Sequence, residues 1–163
     1  MRYRATVITI SDKGSRGERE DKSGPLLRSM LEGEYDVSEI IIVPDEVDLI
    51  AQAIRNEIDE RGVDLVVTTG GTGVSKRDVT PEATQLVIEK DLPGFAETMR
   101  AESYKITPFA LISRAICGIR KESVIINLPG SPKAAAECLS FVQKAIPHAL
   151  SKIKGDMEDC ARP

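Results

Sequence analysis

Apolar residues follow two rhythms along this chain. Short, nearly unbroken apolar and β-branched runs recur at 3–11, 37–43, 63–67 and 123–128, among them Ile40-Ile41-Ile42-Val43 and Val124-Ile125-Ile126. Runs of this length without polar alternation predict strands buried on both faces. Between them the apolar positions repeat every three or four residues. Leu26, Leu27, Met30 and Leu31 mark a helix over 23–34 capped by Ser23, and Val47, Ile50, Ala51, Ile54 and Ile58 mark one that ends at Gly62. A long stripe from Ala134 to Ile153 predicts a last helix, kinked or restarted at Pro147. Helices are also predicted at 80–90 and 96–104, and 108–115 reads as helix giving way to a short strand near 117–119. Strand and helix alternate at least four times. That order predicts an α/β fold: three layers, α-β-α, with a mostly parallel central sheet and right-handed crossovers.

Chemistry concentrates where the predicted strands end. The run 63–67 feeds Thr68-Thr69-Gly70-Gly71-Thr72-Gly73, and three glycines in four positions let main-chain N–H groups approach an anion closely. Asp78 follows in the same loop, and Thr80-Pro81-Glu82 opens the next helix as N-cap hydroxyl, first-turn Pro and first-turn acid. A carboxylate beside a phosphate cradle fits Mg²⁺, which takes one or two carboxylates together with phosphate oxygens and water. Asp45 lies just past the end of the run 37–43, so in an open parallel sheet Asp45 and Asp78 converge at the carboxyl edge, where ligands bind. The same residues also serve a plainer reading, the glycines as a tight connection and Asp45 as an N-cap. Two nucleotide signatures fail: a dinucleotide fingerprint needs Gly where Lys76 stands, and a Walker loop needs Gly where Ser75 stands.

Two further loops share the design. Ser11-Asp12 closes the first strand, and Asp21-Lys22-Ser23-Gly24 precedes the first helix; the stretch 14–20 between them reads as a mobile, solvated connection. Pro129-Gly130-Ser131-Pro132-Lys133 turns the strand 123–128 into the last helix. Lys76, Arg77 and Lys133 either add positive charge near phosphates or are solvated surface.

Composition removes several classes. The chain has 163 residues, net charge -4 and 22 basic against 26 acidic residues spread along it, so no basic footprint for nucleic acid appears. The length suits one domain, over 1–155, followed by a flexible C-terminal tail at 156–163. No apolar run approaches a membrane span, and the N-terminal residues lead straight into a strand, so a cytoplasmic protein is expected. Cys117, Cys138 and Cys160 are far apart and fit reduced thiols. The single His148 cannot complete a zinc set, and a Ser-His or Cys-His pair would have to use it.

Taken in order, Ile10-Ser11-Asp12, Pro44-Asp45, Thr69-Gly70-Gly71-Thr72-Gly73, Arg77-Asp78-Val79-Thr80-Pro81-Glu82-Ala83-Thr84, Pro93-Gly94-Phe95 and Asn127-Leu128-Pro129-Gly130-Ser131-Pro132 resemble a known family. It is the MogA-like molybdopterin adenylyltransferases of molybdenum-cofactor biosynthesis, relatives of MoaB and of the G domains of gephyrin-type proteins. The resemblance runs over about 6–154. It implies the MogA/MoaB-like molybdopterin-binding fold and Mg-ATP-dependent transfer of AMP to the terminal phosphate of molybdopterin, with pyrophosphate released. Asp45 and Asp78 fall on that family's essential acidic positions and so stand as catalytic and metal-holding residues. Thr69, Gly70, Gly71, Thr72 and Gly73 fall on its nucleotide-phosphate loop, and Asn127, Pro129, Gly130 and Ser131 on its second substrate loop. Ser11, Asp12, Ser23, Ser75 and Arg77 are further candidate substrate contacts. The resemblance also implies a homotrimer, with Phe95, Met99 or Phe109 at the interface, and a separate protein for molybdate insertion. Arg77-Asp78-Val79-Thr80-Pro81 followed by Ile119-Arg120-Lys121 looks more like the adenylyltransferase branch than like MoaB. A member that binds pterin without transfer is the alternative, and a scaffold of the gephyrin kind a third.

Overall fold

The computed structural model describes residues 2–156. The tail expected at 156–163 falls outside the described residues from 157 onward, as does Cys160. Among the described residues seven strands form one sheet. Its centre is β1 (Arg4–Ile10), β4 (Leu65–Thr69) and β7 (Ser123–Leu128), paired in parallel so that Thr9 sits beside Thr69 and Thr69 beside Leu128. These strands are buried along almost their whole length because side chains alternate between two covered faces. Val7, Leu65, Val67, Val124 and Ile126 point to one core, and Ile8, Val66 and Ile125 to the other.

Helices α2 (Ser23–Leu31), α5 (Pro93–Tyr104), α6 (Pro132–Val142) and α7 (Ile146–Ile153) cover the first face with Leu27, Leu31, Met99, Leu139, Ile146 and Leu150. The second face is covered by α3 (Val47–Arg55), the π-helical turn Asn56–Glu60 that extends it, and α4 (Thr80–Gln85). The three-layer architecture is the one expected. Gly62 ends the α3 extension at φ +65°, as its place in the pattern predicts.

Several local expectations change. The run 37–43 is not a buried central strand; it is two short edge pieces, β2 (Asp36–Val37) and β3 (Ile41–Val43), which pair only with β1 and leave Ile42 40% exposed. A broken edge limits pairing with another chain. The helix predicted for 80–90 stops at Gln85, because Glu89 N–H donates to the Ile119 carbonyl and draws the chain into β5 (Lys90–Asp91) beside β6 (Cys117–Arg120). β6 runs antiparallel to β7. Neither hydroxyl expected to cap does so. Thr80 lies inside α4 and donates to the Gly70 carbonyl, and Ser23 lies inside α2 and donates to the Gly130 carbonyl. Of the three residues expected at an interface, Met99 is core, Phe95 packs against that core partly buried, and Phe109, on the 3-10 turn Pro108–Ile112, is 77% exposed.

Candidate functional site

Because β1, β3, β4 and β7 are parallel, their carboxyl ends deliver four loops to one edge of the sheet: 11–22, 44–46, 70–79 and 129–131. Hydrogen bonds fix the loops to one another. Thr69 Oγ1 donates to the Pro129 carbonyl at 2.7 Å, Gly70 N–H to the Leu128 carbonyl at 3.1 Å, and Ser23 Oγ to the Gly130 carbonyl at 2.7 Å. Gly70 (φ +105°) and Gly71 (φ +68°) occupy the left-handed region. A Cβ on Gly70 would overlap the Ile10 carbonyl, and one on Gly71 would overlap the buried Thr80 hydroxyl and approach Asp45. The glycines are therefore required by packing as well as by any ligand.

Two cavities open on this edge. One of about 620 Å³ is polar and lies against Ser11, Asp21, Lys22, Ser23, Asp45 and Thr69 to Gly71. The other, of about 410 Å³, has mainly apolar walls from Ala96, Met99, Phe109, Ile112, Ala115 and Cys138. They share Gly71, Asp78 and Gly130, so a thin ridge of backbone and one carboxylate divides them. The N–H groups of Gly71, Thr72 and Gly73 have no acceptor within the described residues, which leaves a row of donors at that ridge.

Asp45 and Asp78 are both present, and each has one carboxylate oxygen tied to backbone. Asp45 Oδ2 accepts from Asp12 N–H and Asp78 Oδ2 from Ser75 N–H, both at 3.0 Å, while both Oδ1 atoms are unpaired among the described residues. Burial pushes the Asp45 carboxyl above its ordinary range; the Asp12 N–H opposes the shift, and the charges of Asp12 and Asp78 add to it. Asp12 faces away from the cavities. Its carboxylate takes a two-pronged bond from Arg77, both distances 2.9 Å, which lowers its pKa from the ordinary value. Arg77 also reaches Glu46 at 2.9 Å.

Of the residues singled out in the sequence, Ser11, Ser23, Asp45, Thr69, Gly70, Gly71, Thr72, Gly73, Asp78, Asn127, Pro129, Gly130 and Ser131 line one cavity or the other, and Asp12, Ser75 and Arg77 line neither. Asn127 is fully buried, its amide spent on Thr68, Thr84 and the Ile116 N–H. Ser131 caps α6 through the Ala134 N–H. Lys133 is solvated, near Glu137 at 4.0 Å. Sequence reasoning missed Arg19, which lies in the stretch set aside as solvated yet lines the polar cavity, with no ion-pair partner among the described residues. It also missed Arg114, which no local pattern marks, and the apolar cavity itself, whose walls come from three separated segments.

Among the described residues no three acidic, His or Cys side chains stand close enough to hold an ion by themselves. Two oxygen donors with open valences beside free N–H groups do suit Mg²⁺ completed by phosphate oxygens and water. A mostly parallel α/β sheet with two carboxylates and a glycine ridge at its carboxyl edge has the donor and acceptor chemistry that a phosphorylated ligand with its cation would need. The chain belongs to the molybdopterin-binding family: the model for the probable molybdopterin binding domain matches residues 6–148. It is 48% identical over 154 residues to a molybdopterin adenylyltransferase of Helicobacter pylori, covering 92% of this chain and 87% of that protein. With the Escherichia coli K12 molybdopterin adenylyltransferase identity is 41% over 145 residues, covering 87% and 74%. The solved structure of the molybdopterin biosynthesis enzyme MoaB from Thermus thermophilus superposes with a TM-score of 0.88 at 44% identity, covering 94% of this chain and 97% of that one.

Proposed function

We infer that this chain is a molybdopterin adenylyltransferase of molybdenum-cofactor biosynthesis, transferring AMP from ATP to the terminal phosphate of molybdopterin. The observation that carries the reading is the meeting of two unlike cavities over Gly71, Asp78 and Gly130. Two ligands seated on either side would bring their phosphates together at that ridge. In the reaction a terminal phosphate oxygen attacks the α-phosphorus, the bond to the β-phosphate oxygen breaks, and pyrophosphate leaves with the electron pair.

The protein's part is positioning and charge. The N–H groups of Gly71, Thr72 and Gly73 donate to phosphate oxygens, and Arg19 and Lys22 add positive charge at the polar wall. Asp45 and Asp78 would hold Mg²⁺ through their open Oδ1 atoms, and the ion would supply neutralising charge to the phosphates. Asp12 and Arg77 stand behind Asp45 and fix its loop through the reciprocal backbone bonds of Asp12 and Asp45, both at 3.0 Å. The apolar walls exclude water from one ligand.

The wider setting belongs to the same proposal. An exposed apolar run of Tyr104, Ile106, Phe109, Leu111 and Ile112 supports association of copies, which we take to be a homotrimer. Buried free thiols at Cys117 and Cys138 support a cytoplasmic setting, and molybdate insertion falls to a separate protein. Among the described residues no helix is long and apolar enough to cross a membrane.

The test is pyrophosphate release from ATP on adding molybdopterin, with and without Mg²⁺, for the wild type and Asp78→Asn. Release is expected to need pterin and Mg²⁺ and to fall at least about 10²-fold in the variant. Pterin binding without release would move the chain to a binding role and overturn the transferase reading.

A further inference from the structure

We propose that Arg114 is the positioning residue that fixes the Asp78 loop for transfer, an assignment that rests on the adenylyltransferase reading. From Gly73 to Asp78 the loop has little to hold it by packing. Val74 is 66% exposed, residues 75–77 are exposed, and the loop's own bonds are Ser75 N–H to Asp78 Oδ2 and Asp78 N–H to the Ser75 carbonyl, both at 3.0 Å. Arg114 approaches it from the segment between the exposed 3-10 turn and β6. Its backbone N–H donates to the Thr72 carbonyl at 2.8 Å, Nε to the Gly73 carbonyl at 2.7 Å and Nη2 to the Asp78 carbonyl at 2.7 Å, while Nη1 meets the Glu82 carboxylate. One rigid guanidinium thus spans both ends of the loop and the first turn of α4.

A lysine has no such reach, because its donors radiate from one nitrogen whereas the planar fork presents donors in fixed, separate directions. On Asp78 the clamp takes the carbonyl and not the carboxylate, so Asp78 Oδ1 stays unpaired among the described residues. Arg77, at the loop's other flank, ties it to Asp12; Arg114 secures its two ends. Misplacing a ligating carboxylate by about 1 Å costs on the order of 10²-fold in rate. Arg114 therefore acts through Asp78 and not on a ligand.

The test uses Arg114→Gln, Arg114→Lys, Asp78→Asn and the double variant Arg114→Gln with Asp78→Asn. Thermal unfolding identifies folded variants, and Arg114→Lys carries the test if Arg114→Gln does not fold. Amide hydrogen exchange at Ser75, Asp78 and Thr80, whose N–H groups are bonded within this loop, is expected to quicken at least about tenfold in Arg114→Gln, with β1, β4 and β7 unchanged. Molybdopterin-dependent pyrophosphate release should fall about 10²-fold through kcat, with Arg114→Lys between it and wild type. Because Arg114 works through Asp78, the double variant should be little worse than Asp78→Asn alone. Unchanged exchange, or losses that multiply in the double variant, would overturn the assignment. If the wild type itself releases no pyrophosphate, the functional reading has failed, and the clamp then stands or falls on the exchange measurement alone.

Discussion

Asn127 is where a ligand-contact role and a girder role separate by experiment. The residue lies in the stretch that resembles a substrate loop, but in the fold it is fully buried at the end of β7. Its Nδ2 donates to Thr68 Oγ1 and Thr84 Oγ1, each at 3.0 Å, and its Oδ1 accepts from Ile116 N–H at 3.3 Å. Asn127→Leu keeps the branched heavy-atom skeleton and removes all three bonds. Thr84 still donates to the Thr80 carbonyl at 2.8 Å, so the Thr68 hydroxyl and the Ile116 N–H are the groups left without partners. A buried group left unpaired costs about 1–3 kcal/mol, and the long Ile116 bond belongs at the low end, which gives a loss of about 3 kcal/mol. For a domain of this size that lowers Tm by about 6–12 °C. The three partners belong to β4, α4 and the segment leading into β6, which carry the glycine ridge, Asp78 and Arg114. Nucleotide affinity, measured by calorimetry well below the lowered Tm, should therefore weaken only modestly. An unchanged Tm together with abolished ligand binding would refute the girder reasoning and return Asn127 to the ligand.

Two further outcomes follow from buried and paired groups elsewhere. Tyr35 is 2% exposed and its hydroxyl has no partner among the described residues, so Tyr35→Phe should leave stability unchanged or raise it by up to about 1 kcal/mol in urea titration; a clear loss would mean the hydroxyl is satisfied in solution. Arg120, at 2.5 and 3.0 Å, and then Lys121 at 2.9 Å hold the Asp59 carboxyl at about 2, against an ordinary value near 3.8. The folded value lies below the unfolded one, so this stabilisation is full above about pH 4 and is lost as pH falls toward 2. It amounts to at most about 2 kcal/mol, reduced by solvent because the side chain is 21% exposed. Asp59→Asn should flatten the stability profile in that window, and an unaltered acid slope would remove the pair from the account.

Much of the architecture was legible because it rests on periodicity. The central strands β1, β4 and β7 are apolar on both faces, and their unbroken runs mark them in the sequence. The misreading of 37–43 shows the limit: Ile40, Ile41 and Ile42 have the composition of a buried strand, but burial depends on how many neighbours a strand has, and β3 has one. The extent of α4 was hidden for a similar reason, since Glu89 is drawn off by β6, a partner thirty residues away. Within the site, residues placed by short loops after strands were legible: Asp45, Asp78 and the glycines. Arg114 was not, because its meaning lies in carbonyls of a loop some forty residues earlier, and guanidinium-to-carbonyl bonds leave no spacing in the sequence.

The glycines illustrate how packing and function become the same constraint. β4 and β7 are adjacent in the sheet, so the loops leaving them must pass each other at once, and a Cβ on Gly130 would sit 3.3 Å from the Gly70 Cα. Gly70 is consumed by that crossing: its N–H goes to Leu128 and its carbonyl takes the Thr80 hydroxyl. Having turned there, the chain leaves the N–H groups of Gly71, Thr72 and Gly73 with no acceptor among the described residues. The ridge between the two cavities is thin because the crossing tolerates no side chains, and it is rich in donors because the crossing uses up only the first glycine. A phosphate on one side and a second ligand's phosphate on the other are then separated by little more than backbone. Substitutions that thicken the ridge should therefore damage folding and transfer together, whereas substitutions at Asp78, whose carboxylate stands at the same divide, separate the two.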